Sequence, residues 1–167
     1  MARYTGPSCR LCRTEQKKLF LKGARCKSDK CPINRKALPP GKAPKSRPSK
    51  QSEYAVQLRE KQRLKRTYGL METQFRNTFE KALRMPGKTG ENLFALLERR
   101  LDNVVFLCGF SLSRGHARQL IGHGHFRLND HKADIASALV KPGDVIAFRP
   151  RSAKSEDVRA VVASNRS

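Results

Sequence analysis

The stretch SRGHARQLIGHGHFRLNDHKADIASALVKPGDVIAF, residues 113–148, decides the fold class of this 167-residue chain. Its opening SRGHARQLIG predicts a short helix with a serine N-cap and an inner face of alanine, leucine and isoleucine. Two glycines then end the helix, and HFRL alternates polar and apolar residues up to an Asn-Asp turn. GDVIAF, after a Pro-Gly turn, supplies another short strand. The stretch therefore predicts a short antiparallel sheet packed on helices, in an α+β fold.

Three helical patterns precede this stretch. SEYAVQLREKQRLKRTYG begins with a serine N-cap and ends at a glycine. ETQFRNTFEKALRM follows it, and a third pattern predicts one continuous helix over residues 91–108, after a threonine cap. The predicted core face of the second helix consists of Phe75, Phe79, Ala82 and Leu83. At the end of the third pattern, Cys108 is expected to be an ordinary core residue.

The first of these helices has two distinct faces at 100° per residue. The apolar stripe consists of Tyr54, Leu58, Leu64 and Tyr68. Arg59, Arg63 and Arg66 fall on the opposite side, where they form either a solvated face or, as we expect, a ridge that contacts phosphates. Lys61 and Lys65 lie within the stripe, so their stems are expected to pack against protein.

The charge of the chain points to a polyanionic partner. Thirty-six Lys and Arg against fourteen Asp and Glu give a net charge of +22, and residues 1–50 carry fifteen of the basic but two of the acidic residues. Nucleic acid is the leading candidate for such a protein. There is no run of eighteen apolar residues, and MARYTGPSC lacks the apolar core of a signal peptide. We therefore expect a cytoplasmic protein that does not bind membranes.

Four of the five cysteines lie in CRLCRTEQKKLFLKGARCKSDKC. The spacing C-x2-C-x13-C-x4-C predicts tetrahedral coordination of a thiophilic metal by Cys9, Cys12, Cys26 and Cys31. Zinc is the first choice and iron remains an alternative, as do reduced thiols or two disulfides. Because all four ligands come from protein, the predicted site is structural rather than catalytic.

Two further basic features follow the cysteines. The segment PPGKAPKSRPSKQS, residues 39–52, has no large apolar residue and is expected to be either an extended basic arm or a passive linker. In the last third of the chain, the expected clamp for a phosphate backbone consists of Arg114, Arg118, His123, Arg127 and Lys132.

The motifs RLDNVVF, SRGHARQLIGHGHFRLN and KPGD resemble the S-four-type RNA-binding domain. Six further features resemble, in their order along the chain, the bacterial small ribosomal subunit protein four family in its zinc-bearing form. They are MARYTGP, the cysteine spacing, the proline-glycine arm, YAVQLREKQRLKRTYG, QFRNTFEKA and GENLFALLERRLDN. The predicted divisions are a zinc-binding segment (1–38), an extended basic arm (39–52), a helical domain (53–97), the RNA-binding module of two helices on a short antiparallel sheet (98–160) and a tail (161–167).

The resemblance implies a structural protein that binds the 5′ domain of small-subunit ribosomal RNA directly and early in assembly. It also implies a ribosome-bound place near the messenger entry channel, beside ribosomal protein five and other small-subunit proteins, with the arm facing messenger RNA. The arm departs from the family's PPGQHG, and the family's C-terminal return segment is absent from these 167 residues. The expected RNA-binding residues are Arg3, Lys42, Lys45, Arg47, Lys50, Arg59, Arg63, Arg66, Arg114, His116, Arg118, His123, Arg127 and Lys132.

Two other function classes fit the sequence less well. RNA pseudouridine synthases carry the same small module, and ERRLD resembles their nucleophile stretch, so Asp102 would be the nucleophile. Asp102 lies in a predicted helix, however, and the chain has no room for a catalytic sheet domain, so we expect no enzyme and a structural partner such as Arg99 for this carboxylate. A DNA-binding zinc protein would need a base-reading helix between the ligand pairs, where KKLFLKG stands instead. Metal binding by the histidines of HGH is also disfavoured, because no thiol or carboxylate lies beside them.

Overall fold

The computed structural model describes residues 3–41 and 50–166, which divide into two compact units, Met1–Phe75 and Arg76–Ser167. The division falls inside a helix. In chain order the helices are α1 Ser8–Glu15, α2 Ala24–Lys27, α3 Glu53–Thr67, α4 Glu72–Leu83, α5 Thr89–Glu98, α6 Leu101–Leu107, α7 Arg114–Gly122, α8 Pro150–Ala153 and α9 Glu156–Arg166. The strands are β1 Phe126–Leu128, β2 His131–Ala133 and β3 Ile146–Phe148. None of the helices in the described part of the chain has the length and apolar character needed to cross a membrane.

In the first unit, α3 has the predicted limits, and its predicted apolar stripe is at least half-buried except at one residue. Ser52 Oγ accepts a hydrogen bond from the Ala55 N–H at 3.3 Å, which caps the helix as expected. Tyr54 is 72% exposed, whereas Leu58 and Leu64 are half-buried and Tyr68, at the other end of the helix, is buried. The predicted stripe was therefore wrong only at Tyr54, in the first turn of α3.

The expected core face of α4 is only half buried. Phe75 and Ala82 are buried, whereas Phe79 is 40% exposed and Leu83 is 55% exposed. The 3.6-residue period therefore identified the helix correctly but overestimated the width of its buried face, which a sequence pattern alone does not fix.

The predicted continuous helix over residues 91–108 is wrong, because it is two helices with a break at Arg99 and Arg100. The predicted threonine cap is wrong as well, since Thr89 is the first residue of α5 and the N-cap is Lys88, which makes no side-chain cap hydrogen bond. Arg100 has extended backbone angles (φ −65°, ψ 137°) and pairs as an isolated β-bridge with Leu139. Hydrogen bonds from Leu101 N–H to Ala138 O and from Val140 N–H to Arg99 O, both 2.8 Å, fix the break. These bonds to a distant segment replace the helical ones.

Cys108, expected in the core, is exposed. It is the C-cap of α6, and the apolar face of that short helix is formed instead by Leu101 and Val105, which are 0% exposed. Cys108 follows the last residue of α6, past the part of the helix that Leu101 and Val105 bury.

The second unit contains the predicted module, with α6 and α7 against a three-stranded antiparallel sheet in the order β2-β1-β3. Ser113 caps α7, since its Oγ accepts from the His116 N–H at 3.2 Å. Asn129 (φ 49°) and Asp130 (φ 66°) form the two-residue turn between β1 and β2. The buried residues that join helices and sheet are Leu101, Val105, Ala117, Ile121, Phe126, Ala136 and Val140.

Candidate nucleic-acid interface and cysteine cluster

The four clustered cysteines line one small cavity in the first unit, together with Leu21 and Lys22. Cys12, Cys26 and Cys31 are buried, Cys9 is half-buried, and no disulfide joins them. The Lys22 backbone N–H lies 3.3 Å from the Cys26 sulfur, a donor that favours a thiolate. Burial raises the pKa of the Cys12 thiol, and the neighbouring cysteines raise it further, although the Leu19 backbone N–H opposes the rise.

The donor set of this cavity fits zinc, because four sulfurs from two short pairs are what a structural zinc site uses. Within residues 3–41 and 50–166, however, no three His, Cys, Asp or Glu side chains are arranged so that they could hold a metal ion. Thiols without a metal have no attraction that draws four of them to one point, and a bound metal would also lower their pKa values. Zinc at these cysteines stays a prediction, as does iron.

The three arginines of α3 contact acidic side chains of the protein, a feature that the helical angles did not indicate. Arg66 Nη1 donates to Glu15 Oε1, and Arg59 Nη1 lies 3.5 Å from the same oxygen. Arg63 Nη1 donates to Glu60 at 2.6 Å. The side that we expected to face away from protein thus packs against α1. RNA binding by these arginines stays a prediction.

The two lysines of α3 have a partner of their own. Lys61 and Lys65 both donate to the Glu72 carboxylate, at 2.6 and 2.5 Å. These hydrogen bonds lower the pKa of Glu72 to about 2. The lysine stems were predicted to pack against protein. The Lys65 side chain, which is 16% exposed, agrees with that prediction better than the Lys61 side chain, which is 41% exposed.

In the second unit, Arg114 and Arg118 join α7 to α6 rather than simply projecting from the polar side. Arg118 donates to Asp102 Oδ2 through Nε at 3.0 Å and Nη2 at 2.5 Å, and Arg100 binds the same carboxylate at 2.9 and 3.1 Å. Arg114 Nε donates to Asn103 Oδ1 at 2.7 Å, with its guanidinium 4.8 Å from the centre of the Phe106 ring. The expected partner of Asp102, Arg99, was wrong, because its Nε donates to Val140 O.

The predicted histidines differ in their surroundings. His116 Nδ1 accepts from the Leu112 N–H at 3.3 Å, and burial lowers its pKa, which suits the neutral acceptor form. His123 is exposed, and its ring centroid lies 6.1 Å from that of His125. His125 Nδ1 lies 2.9 Å from Ser152 Oγ. Of these three histidines, His123 is therefore the most accessible to a ligand.

The hairpin places two predicted cations opposite each other. Arg127 of β1 and Lys132 of β2 are directly paired in the register, and Arg127 also faces Ala147 of β3. The Lys132 ammonium is 3.3 Å from Asp134, and both of those side chains are more than half exposed. Like charges in register across strands are unfavourable in the free protein, and they are typical of a surface that binds an anion.

The remaining predicted residues lie in the arm and at the N-terminus. Arg3 and Lys50 are exposed, as RNA contacts require. Lys42, Lys45 and Arg47 lie outside the described residues.

Comparison with protein families gives the identity of this arrangement. A family model of the ribosomal protein S4/S9 N-terminal domain matches residues 3–98, and a model of the S4 domain matches residues 99–146. The chain belongs to the ribosomal protein S4 family. The resemblance of the sequence motifs to that family and to its RNA-binding domain is thereby confirmed.

Similar members of the S4 family come from several bacteria. A protein of Trichlorobacter lovleyi named small ribosomal subunit protein uS4 is 60% identical, over 97% of this chain and 79% of its own length. A protein of the same name from Clostridioides difficile is 56% identical, over 99% of this chain and 79% of its own length. The similarity therefore includes both units.

One cation beside the hairpin, Arg149, was missed by sequence reasoning. The Arg149 backbone N–H donates to His125 O at 2.9 Å, and its guanidinium Nη1 is 3.5 Å from Gly124 O. Gly124 has a positive φ of 73°, and a Cβ placed there would lie 2.8 Å from Lys132 Cε and 4.0 Å from Arg149 Nη1. Arg149 and Lys132 thus converge beside Gly124. Arg149 directly follows a strand that the sequence predicts. Pairing that strand with β1 would have placed Arg149 beside Gly124.

Proposed function

We propose that this chain is a structural, ribosome-bound component of the small ribosomal subunit that binds its ribosomal RNA directly. The observation that carries the proposal is the similarity over nearly the whole chain to proteins named small ribosomal subunit protein uS4. The net charge of +22 supports it, because a phosphate backbone is the polyanion that such a charge attracts. From the resemblance of its motifs, we propose the 5′ domain as the site and early assembly as the stage.

The hairpin surface supplies a contact for that RNA. Arg127 and Lys132 are paired in the register of the hairpin, and Lys132 and Arg149 converge beside Gly124, the residue after the exposed His123. Three cations on one side of a small sheet suit the phosphates of folded RNA, which proteins recognise largely through backbone and shape. Arg114 and Arg118, by contrast, contribute mainly to the packing of α6 and α7.

Catalysis by the proposed pseudouridine synthase nucleophile has no support in the geometry. The Asp102 side chain is 3% exposed and is bound by two guanidiniums. A carboxylate so enclosed cannot reach a substrate carbon, and its ion pairs give it a structural purpose. A structural function agrees with the family to which the chain belongs.

RNA footprinting and binding test the proposed function. The purified full chain should protect 5′ domain RNA and bind it more tightly than duplex DNA at matched salt. Arg127→Gln with Lys132→Gln should lower the slope of log K against log salt by about 1–2, because each lost phosphate contact removes roughly 0.7–0.9. The matched control is Arg76→Gln with Lys88→Gln, two exposed cations of the same unit that are each paired with an acid. Equal affinity for RNA and DNA would refute the proposal.

We also propose one zinc ion at Cys9, Cys12, Cys26 and Cys31, supported by their shared cavity and by the N–H donor to Cys26. When bound, zinc would supply cross-linking energy to a segment with few buried apolar side chains. Cys26→Ser should abolish metal binding and disorder the segment, whereas Cys108→Ser, a change at an exposed cysteine, should do neither. Less than a tenth of an equivalent of zinc or iron in protein purified without chelator would contradict the proposal.

The resemblance further supports a place beside ribosomal protein five and near the messenger entry channel. The residues proposed to face messenger RNA are Lys42, Lys45, Arg47 and Lys50. Crosslinking from position 50 in assembled subunits should recover messenger RNA. A crosslinker at position 88, on the second unit, is the comparison, and equal yields from both positions would argue against the proposed place of the arm.

A further inference from the structure

Glu15 is a buried carboxylate in an otherwise strongly basic segment. Its side chain is 0% exposed, and it lies at the C-terminal end of α1, where the helix dipole disfavours a negative charge. Oε1 accepts from Arg66, with Arg59 at 3.5 Å. Oε2 is also buried and has no hydrogen-bond partner among the described residues.

Stability alone does not account for this arrangement. Burying charges is costly, and a buried ion pair is often no more stabilising than apolar residues of similar size. The unsatisfied Oε2 adds a further cost. Departures of this kind from good local packing are concentrated at functional sites. The arrangement therefore calls for a function that an apolar residue could not perform.

Helix α1 contacts two features of the first unit, the cysteine cavity and the arginines of α3. Cys12 lies three residues earlier, so the same helix directs Cys12 into the cysteine cavity and Glu15 towards α3. Arg59 and Arg66 are seven residues apart on α3 and share one face. Their side chains are 34% and 21% exposed, so both remain partly accessible to solvent while they face Glu15.

A guanidinium is suited to contact an acid and a phosphate together. It has five N–H donors in a rigid plane, and one carboxylate oxygen occupies few of them. Held side by side by Glu15, the two arginines would meet a phosphate already oriented, without the entropy loss of ordering two free side chains.

We propose that Glu15 is a positioning residue for RNA binding, which fixes Arg59 and Arg66 as a paired site for the phosphodiester backbone. The inference rests on the proposed RNA-binding function and deepens it. Because Glu15 belongs to the cysteine-bearing helix, α3 can form this phosphate site only when the cysteine-bearing segment is folded.

The direction in which one substitution changes the affinity for RNA distinguishes positioning of the arginines from simple electrostatic attraction. Glu15→Gln removes a negative charge, which would strengthen binding to phosphates if charge alone mattered. Loss of positioning predicts weaker binding instead. Glu60→Gln is the matched control, since it removes the same charge from a carboxylate that binds an arginine of the same helix but is 59% exposed.

The test measures binding of the full chain to 5′ domain RNA over a range of salt concentrations. For Glu15→Gln we expect affinity about tenfold lower and a salt slope lower by roughly 1–2, whereas Glu60→Gln should bind as tightly as the unchanged protein or more tightly. Equal or tighter binding by Glu15→Gln, with an unchanged slope, would overturn the inference. If the unchanged protein does not prefer this RNA, the proposed function itself fails.

The folding of the segment is followed in the same samples through the reactivity of its thiols. The structure buries Cys12, Cys26 and Cys31, half-buries Cys9 and exposes Cys108. In an intact segment, therefore, Cys108 reacts fast, Cys9 reacts more slowly, and the three buried thiols are protected. If Glu15→Gln exposes the buried thiols, Arg59→Gln with Arg66→Gln provides the second test. That variant keeps Glu15 and should lower the salt slope by about 1–2, and an unchanged slope would overturn the inference.

Discussion

Replacing Asp102 by Asn should destabilise the second unit more than any loss of an exposed ion pair. The Asp102 side chain is 3% exposed and binds Arg100 at 2.9 and 3.1 Å and Arg118 at 2.5 and 3.0 Å. Arg100 itself is 6% exposed and forms the break between α5 and α6. Asparagine keeps the shape but leaves two guanidiniums facing each other without a negative charge.

The expected loss follows from that geometry. Removing one partner of a buried ion pair typically costs about 3–5 kcal/mol, because the remaining charge is left uncompensated. With an m-value near 1.5 kcal/mol/M, the urea midpoint should fall by roughly 2–3 M. Arg118→Ala should cost less, about 1–3 kcal/mol, because Arg100 continues to neutralise Asp102.

Urea unfolding followed by circular dichroism at pH 7 provides the measurement. Asp134→Asn serves as the control, because Asp134 is in the same unit and pairs with Lys132 at 3.3 Å but is 52% exposed. The control should change the free energy of unfolding by less than about 1 kcal/mol. A loss below that value for Asp102→Asn as well would refute the argument that this network joins α6 to α7.

Three smaller effects follow from other contacts. Glu72→Gln should destabilise the protein by less than about 1 kcal/mol at pH 7, since the carboxylate is half exposed. The pKa of Glu72 is about 2 in the folded protein and 4.5 in the free group. The difference in stability between variant and unchanged protein should therefore shrink as pH falls from 4.5 to about 2 and be absent below that. A difference in unfolding midpoint that persists below pH 2 would contradict this. Asp130→Val should cost about 1–2 kcal/mol because of the positive φ, whereas Asp130→Gly should not destabilise; urea midpoints compare the two. Cys108→Ser should leave the midpoint unchanged while removing the most reactive thiol, and a large loss of stability would mean that Cys108 is buried after all.

Much of the local structure was predictable because its causes lie within a few residues. Ser52 and Ser113 cap their helices through N–H groups three residues later. The Asn-Asp turn follows from residues that tolerate positive φ, and it sets the hairpin register. The family motifs in the second unit were likewise readable, and the family match confirmed them.

Predictions about which side of a helix faces protein were less successful. The helical angles grouped Arg59 and Arg66 correctly, but they do not reveal an acid more than forty residues earlier in the chain. The same applies to Arg118, whose partner Asp102 is sixteen residues away, and to the exposure of Phe79 and Leu83. Arg149 was missed because its importance depends on strand pairing.

The sequence by itself determined the two serine helix caps, the hairpin turn, the basic character of the chain and its family, since each depends on residue identity at short spacing. Only the tertiary structure decided that the helix over residues 91–108 breaks at Arg100, that Cys108 is exposed, and that six of the described cations expected on binding surfaces contact acids or amides of the protein. The physical reason is that a buried hydrogen bond or ion pair between distant segments outweighs local helical preference, and distance along the chain does not indicate which segments will meet.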